Sequence, residues 1–158
     1  MFNCVVFVSG PYNGDVEKNT RRAEEYSNLL WQMGFPNICP HKNSYKAGIE
    51  EKLFYKGYPL IVGRCDTLVL LPRWEKSKGV SLELKEAKKW GLIIFNWFDI
   101  EATIPTLLDR YTWLGPQRYG DEKQFVIDLQ KMAHELVERW KVEVDPQFSS
   151  LLEERNPL

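Results

Sequence analysis

The stretch CVVFVSGPYNG occupies residues 4–14 of the chain. Its first half, residues 4–8, is a short apolar run without alternation, which is typical of a strand buried on both faces. Its second half, Ser9 to Gly14, is rich in residues that form turns. Asp15 can then cap a helix that we expect to end near Gly34. The stretch therefore predicts a buried strand that leads directly into a helix.

The same alternation continues along the chain. Further apolar runs predict strands at 35–40, 67–71 and 92–95, and helical patterns cover parts of 48–64, 77–90 and 121–142. Gly57 and Pro59 predict a break or kink in the second helix. Strands that alternate with helices through short links indicate α/β architecture. We expect a doubly wound parallel sheet of four to five strands, in a Rossmann-like or flavodoxin-like three-layer fold, with an added C-terminal helix.

Length and composition place the chain among ordinary globular proteins. It has 158 residues, 44% of them hydrophobic, so we expect one domain over 1–144 and a polar tail over 145–158. The net charge of −1 argues against binding nucleic acid or an anionic membrane through bulk charge, although a small basic pocket stays compatible with it.

The chain lacks the sequence marks of export. No apolar run approaches a membrane span, and residues 1–10 have no basic region or cleavage-like site. Cys4, Cys39 and Cys65 form neither a disulfide framework nor a zinc pattern, so we interpret them as buried thiols. We expect a cytoplasmic protein.

The expected sheet locates a candidate site. Ligands of such sheets bind beyond the carboxyl ends of the strands, at the topological switch point. That rule selects the loops after Val8, Leu71 and Phe95. The turn at Ser9 to Gly14 can bind an anion with the helix start that follows it, or it can be a plain strand-to-helix turn.

A second candidate is WEKSKGVSLE, residues 74–83. Ser77, Lys78 and Gly79 at a helix start would form a phosphate cradle. Glu83 borders the apolar stripe of that helix, where it can act on an atom close to a bound phosphate. The alternative is an ordinary glutamate stabilised by the helix dipole.

Other polar residues are weaker candidates. Asp66, just before the third strand, either orients a ligand or caps the preceding turn. His41, in the loop predicted at 41–46, either contacts a ligand or is incidental. The pattern contains neither a Ser/His/Asp set nor a metal-ligand cluster, so we predict no metal.

Taken together, these motifs resemble a known family. VFVSGPY at 6–12, Asn19, the pair Pro40-His41, the pair Cys65-Asp66 and LPRWEKSKGVSLE at 71–83 are similar to the nucleoside 2-deoxyribosyltransferase-like superfamily, most of all to an uncharacterised phage and bacterial branch. The similarity covers about residues 2–95, and its specific part is the block from WEKSKG to the glutamate.

The resemblance implies cleavage or exchange of an N-glycosidic bond, without a cofactor. Its nucleophilic glutamate matches Glu83, and its phosphate-binding serine and glycine match Ser77 and Gly79. The implied substrate is a nucleoside 5'-monophosphate. The remaining substrate-binding positions carried over are Phe7, Ser9, Gly10, Pro11, Tyr12, Asn19, His41, Trp74 and Lys78.

Two positions depart from the family pattern. Phe7 stands where many deoxyribosyl enzymes have tyrosine, which either favours a ribonucleotide or removes a hydroxyl that positions Glu83. Tyr58 stands where many members have an aspartate that acts on the leaving base, and a phenol is the poorer acid–base group. Tyr58 and Asp66 are the further catalytic candidates.

The resemblance also implies a homo-oligomer, a dimer or higher, whose active sites are completed by the next subunit. Three hypotheses follow: an N-glycosidase, a nucleotide-binding or sensing protein with little or no turnover, and an interaction protein using the aromatic segment 97–119 and the last helix. Fold alone does not decide between them.

Overall fold

The computed structural model describes residues 1–43, 48–114 and 121–144. Within them, four parallel strands form one sheet: β1 (Val6–Ser9), β2 (Asn37–Ile38), β3 (Thr67–Leu70) and β4 (Ile93–Asn96). Their order in the sheet is β2-β1-β3-β4. From β1 the chain adds β2 on one side. It then returns to add β3 on the other side of β1, and β4 beyond β3. This confirms the α/β fold with a doubly wound parallel sheet of four strands.

Six helices surround the sheet in the described part of the chain. They are α1 (Val16–Gln32), α2 (Pro40–Asn43), α3 (Glu51–Val62), α4 (Lys78–Trp90), α5 (Ile100–Arg110) and α6 (Glu122–Val144). The side chain of Asp15 accepts a hydrogen bond from the Lys18 amide and caps α1, as predicted. Gly91, with φ of 69°, ends α4 in the left-handed conformation that glycine adopts most readily.

Alternate residues of the central strands enter two separate cores. Val6 and Val8 pack with α1, α5 and α6 on one face, whereas Phe7 packs with α3 and α4 on the other. Leu68 and Leu70 of β3 share the second core with Phe7. Both faces of the strands are thus covered, which explains why their sequences are continuously apolar.

The segment after β4 folds more regularly than its sequence predicts. Helix α5 buries Ile100, Ile104 and Leu107, although it contains Pro105. Trp97 is buried, and its carbonyl oxygen accepts a hydrogen bond of 3.0 Å from the Tyr26 hydroxyl. Much of the aromatic segment proposed as an interaction surface therefore belongs to the core, while residues 115–120 lie outside the described part.

The last helix also serves the chain's own core. The residues of α6 that it buries are Leu129, Ala133, Leu136, Val137 and Trp140. These side chains pack in the core that α1 and α5 share. The expected C-terminal helix is therefore confirmed, with its apolar face covered within the chain. The predicted tail, 145–158, lies outside the described residues.

The break expected in the second predicted helix and the loop expected at His41 are both wrong. Helix α3 runs without a break from Glu51 to Val62 through both Gly57 and Pro59, because buried Tyr58 and Val62 hold it against the sheet and a proline removes only one backbone donor. His41 was expected in a loop, but it lies in the single helical turn of α2.

Two further findings concern the general character of the chain. No helix among the described residues has the length and apolarity needed to cross a bilayer. Cys4, Cys39 and Cys65 are buried free thiols, as expected, and burial raises the pKa of each to about 11.

The same substitution at two glycines should change stability in opposite directions. A Cβ at Gly57 or at Gly91 would meet no other atom within 4 Å. Gly57→Ala should raise the free energy of unfolding by about 0.5–1 kcal/mol, because alanine is the better helix former. Gly91→Ala should lower it by about 1–2 kcal/mol, because its φ is left-handed. Urea denaturation measures both, and equal signs would contradict the assigned backbone conformations.

Candidate functional site

A cavity of about 350 Å³ opens at the carboxyl ends of β1 and β3, the topological switch point of the sheet. This volume suits a small-molecule ligand. The cavity is lined by the loop after β1, the start of α1, the turn after β2, part of α3, the loop after β3 and the start of α4. Of the three predicted loops, the one after Phe95 does not line it, and Pro40 and His41 after β2 do.

Glu83 is the buried carboxyl group of this cavity. It lies on the second turn of α4, lines the cavity and is only 7% exposed. Its Oε2 accepts a hydrogen bond of 2.5 Å from the hydroxyl of Ser9, the last residue of β1. The contact joins residues 74 positions apart in the sequence, so it depends on the pairing of β1 with β3 and on the packing of α4.

The environment of Glu83 favours the protonated form. Burial raises its pKa to about 8, and the Ser9 hydrogen bond opposes that rise. A carboxyl group with a pKa near neutrality can exchange a proton or attack as an ionised nucleophile within the working range of an enzyme. The sequence prediction that Glu83 borders a buried face agrees with its burial.

The start of α4 lies at the same cavity. The side chain of Ser77 accepts a hydrogen bond of 3.3 Å from the Val80 amide, so it caps the helix. Lys78 and Gly79 line the cavity beside it. Because the first amides of a helix have no partner within that helix, this terminus offers donors and a positive dipole to an anion.

Hydrogen bonds hold the loop after β1 in place. Asn19 Nδ2 donates to the carbonyl oxygens of Tyr12 and Asn13, at 3.3 and 3.1 Å. His41 Nε2 lies 3.0 Å from the Pro11 carbonyl oxygen, which can only accept, so this nitrogen carries the proton. Burial lowers the pKa of His41 and favours the neutral ring. Asn19 and His41 thus support the loop while they line the cavity.

Packing against Leu71 leaves little room for a side chain at Gly10. A Cβ on Gly10 would lie 3.0 Å from two side-chain carbons of Leu71, the residue that follows β3. The two loops therefore approach each other closely above the sheet. Gly10, Pro11 and Tyr12 all line the cavity, as the sequence predicts.

Helix α3 supplies a part of the wall that the sequence did not reveal. Tyr55 donates its hydroxyl to Glu51, and Asn13 Nδ2 donates to the same carboxylate oxygen at 3.2 Å. The Lys78 ammonium lies 5.2 Å from the centre of the Tyr55 ring. This group connects the loop after β1 to the start of α4 across the cavity.

The cavity is more basic than the chain as a whole. Its lining includes five cationic side chains and three carboxyl groups, and burial favours the neutral form of one of these, Glu83. The cations are Lys18, Arg22, Arg73, Lys76 and Lys78. Sequence reasoning found only Lys78. The sequence does carry a signal for Arg22, which lies about 40° from buried Tyr26 on the wheel of α1 and so borders its apolar face, as Glu83 does on α4.

Five predicted site residues are not part of the cavity lining, although one of them, Ser9, reaches the site through its hydrogen bond to Glu83. Phe7 and Tyr58 pack edge to face in the core beneath α3 and α4, with ring centres 6.1 Å apart. Trp74 packs against the same core. Asp66 Oδ2 accepts a hydrogen bond of 2.8 Å from the Val5 amide at the opposite, amino-terminal edge of the sheet. Asp66 therefore holds the strand starts together.

Residues 1–43, 48–114 and 121–144 contain no group of three His, Cys, Asp or Glu side chains that could hold a metal ion. The arrangement at the cavity is instead suited to an organic anion. It combines a buried carboxyl group, a helix terminus and several cations within one small volume.

Replacing Glu83 should stabilise the fold at high pH. Between the ordinary carboxyl pKa of 4.5 and the buried value of about 8, the unfolded chain ionises Glu83 while the folded chain keeps it protonated. Stability is therefore lost as pH rises through this range. Glu83→Gln should be more stable than the wild type by about 3–5 kcal/mol at pH 9, and the two should converge near pH 4.5.

Chemical denaturation at pH 4.5, 7 and 9 measures this difference. Glu75→Gln is the matched control, because Glu75 is exposed in the same sequence block and does not line the cavity. A difference between Glu83→Gln and wild type that is constant across these pH values would contradict the raised pKa of Glu83.

Comparisons with known proteins identify the family without an activity. No curated protein matches the sequence. Among solved structures, the chain is similar to the TIR domains in a structure of the activated Roq1 resistosome directly recognizing the pathogen effector XopQ. The identity is 12%, with 98% of this chain and 100% of that chain covered, and the TM-score of 0.42 is too low to support an inference. A family model described as a domain of unknown function, DUF4406, matches residues 4–96, so the chain belongs to that family.

Proposed function

We propose that the chain hydrolyses the N-glycosidic bond of a nucleoside 5'-monophosphate to a free base and a sugar phosphate. The observation that carries the proposal is the buried carboxyl group of Glu83, which lies in one cavity with the start of α4. The resemblance of the WEKSKG block to the nucleoside 2-deoxyribosyltransferase-like superfamily supports the same reaction. A reducing cytoplasm and a homodimer belong to this proposal.

In this proposal the 5'-phosphate binds at the start of α4. Ser77 caps this helix, and the backbone amides of Lys78 and Gly79 belong to its first turn. The helix dipole and the Lys78 ammonium favour a dianion there. Glu83 lies four to five residues further along the same helix, so a sugar bound through its 5'-phosphate has its anomeric carbon within reach of the carboxylate.

Glu83 acts in the ionised form. One carboxylate oxygen forms a bond to the anomeric carbon while the bond from that carbon to the base nitrogen breaks, through an oxocarbenium-like state. The electron pair of the broken bond goes to the base, which takes a proton from water. A second water then hydrolyses the glycosyl ester, which restores the carboxylate and releases the sugar phosphate. Ser9 orients the carboxylate through its hydrogen bond.

Base release is the direct test. The wild-type protein is incubated with ribo- and deoxyribonucleoside 5'-monophosphates of the common bases, and free base is measured by chromatography. We expect release from at least one nucleotide, a fall of several orders of magnitude in Glu83→Gln, and wild-type rates in Glu75→Gln. Equal rates in wild type and Glu83→Gln would remove Glu83 from the reaction.

The pH profile of the same assay tests the role of the carboxyl group. Because burial raises the pKa of Glu83 to about 8, a nucleophile at this position should give rates that rise with pH and level off above about 8. A rate that falls over the same range would assign Glu83 as a general acid and contradict the nucleophilic mechanism.

The second candidate function is nucleotide binding with little or no turnover. The position of Tyr58 and Asp66 outside the cavity lining favours it, because neither can then protonate the leaving base. An absence of released base, together with a melting temperature that rises with nucleotide concentration, would assign this function.

Ser77→Ala tests the phosphate site. The variant should bind a nucleoside 5'-monophosphate more weakly by about 1–3 kcal/mol, because a cap and a charge-assisted donor are lost. Binding of the unphosphorylated nucleoside should change little. Isothermal titration calorimetry measures both, with Ser81→Ala as the control, since Ser81 is exposed on the same helix. An equal loss for nucleoside and nucleotide would contradict phosphate binding at this terminus.

A further inference from the structure

The cavity contains a buried arginine that neither the fold nor the proposed reaction explains. Arg22 of α1 lines the cavity and is only 4% exposed. Its Nε is buried without a hydrogen-bond partner, and none of the ion pairs within the described residues includes its guanidinium. An unpaired buried charge is costly to a fold, so an arginine in this state points to a partner that comes from outside the chain.

The carboxylates near Arg22 are engaged elsewhere. Burial lowers the pKa of Arg22 most, Arg73 and Arg21 lower it further, and Glu143 and Asp15 oppose the change. Asp15 accepts a hydrogen bond from the Lys18 amide at the start of α1. Glu143 lies 3.9 Å from Arg139. No ion pair within the described residues joins either carboxylate to the Arg22 guanidinium.

A second arginine, which is exposed, also belongs to the cavity lining. Arg73 lies in the loop after β3 and lines the cavity. Among the described residues other than glycine, it alone has a positive φ, 64°. Such a strained conformation often persists at sites that hold a ligand. Arg73 is also the largest source of Coulomb repulsion on Arg22, and an anion between the two guanidinium groups would offset that repulsion.

Arg22 and the phosphate cradle lie on different sides of the sheet. Helix α1 packs in the core with α5 and α6, whereas α4 packs in the core with α3. The cavity opens between these two layers, above β1 and β3. A single phosphate at the start of α4 therefore leaves the Arg22 guanidinium, on the α1 side of the cavity, without a paired anion.

We propose that Arg22 and Arg73 form a second anion subsite, and that the ligand of this cavity is a nucleotide carrying two phosphate groups. The inference rests on the proposed function for the first phosphate and extends it to the second. Two chemical sources supply the second group: the terminal phosphate of a nucleoside 5'-diphosphate, or the sugar phosphate of a nucleoside 3',5'-bisphosphate.

Binding to a non-hydrolysing protein tests the inference. In the Glu83→Gln background, each common base is titrated calorimetrically as 5'-monophosphate, 5'-diphosphate and 3',5'-bisphosphate. We expect one of the two-phosphate forms to bind at least tenfold more tightly than the monophosphate, and its identity distinguishes the two sources. Arg22→Met should remove most of that gain, and Arg22→Lys should keep part of it. Arg21→Met is the matched control, since Arg21 is exposed beside Arg22 and does not line the cavity.

Stability without ligand separates a binding role from a structural one. Because Arg22→Met removes an unpaired buried charge and keeps an unbranched side chain, the ligand-free variant should melt at a higher temperature than its parent. A lower melting temperature, together with an equal loss of affinity for all three ligand types, would make Arg22 structural and overturn the inference.

The outcomes for the two proposals are distinct. Base release from monophosphates with no gain from a second phosphate would overturn the second subsite and leave the hydrolase proposal standing. A gain that depends on Arg22 without base release would support the subsite and reject hydrolysis. An absence of binding for every nucleotide in the series would reject both.

Discussion

The pairing of β1 with β3 determines the position of every group at the candidate site. The two strands run in register from Val6 opposite Thr67 to Ser9 opposite Leu70. Beyond these ends the chain leaves β1 toward α1 and leaves β3 toward α4, so two helix starts open onto one cavity. The close approach of Gly10 to Leu71 keeps the two exit loops together. Without this pairing, Ser9 could not reach Glu83 across 74 positions of sequence.

Two buried ionisable side chains give the cavity its chemical character. Glu83 belongs to the α3–α4 layer and has a hydrogen-bond partner, Ser9. Arg22 belongs to the α1 layer and lacks one among the described residues. Burial disfavours the charged form of both groups, so it raises the pKa of the Glu83 carboxyl and lowers the pKa of the Arg22 guanidinium. Without a ligand, Glu83 is therefore held mostly neutral at neutral pH, whereas the Arg22 guanidinium keeps its charge, which an anionic ligand would compensate.

Sequence patterns predict the sheet well because its strands are covered on both faces, and α1 and α4 have recognisable caps at Asp15, Ser77 and Gly91. They predict Glu83 for the same reason, since its position on the α4 wheel is local information. The sequence does not predict helix α5, because Pro105 and the neighbouring aromatic residues obscure the helical spacing of Ile100, Ile104 and Leu107. Arg73 and Tyr55 could not be predicted, because only tertiary packing brings a loop residue and a residue of α3 to the same cavity.

The shortness of the outer strands has a consequence for how copies of the chain can associate. In the described part, β2 forms one border of the sheet and has two residues, while β4 forms the other and has four. So few unpaired backbone groups give a neighbouring chain little to extend as a continuous ladder. Large apolar side chains are instead exposed on several helices, among them Trp31 on α1, Leu60 on α3 and Trp90 on α4. Joining of sheets edge to edge is thus disfavoured, and the helix surfaces offer more apolar area than the sheet edges for any contact between copies.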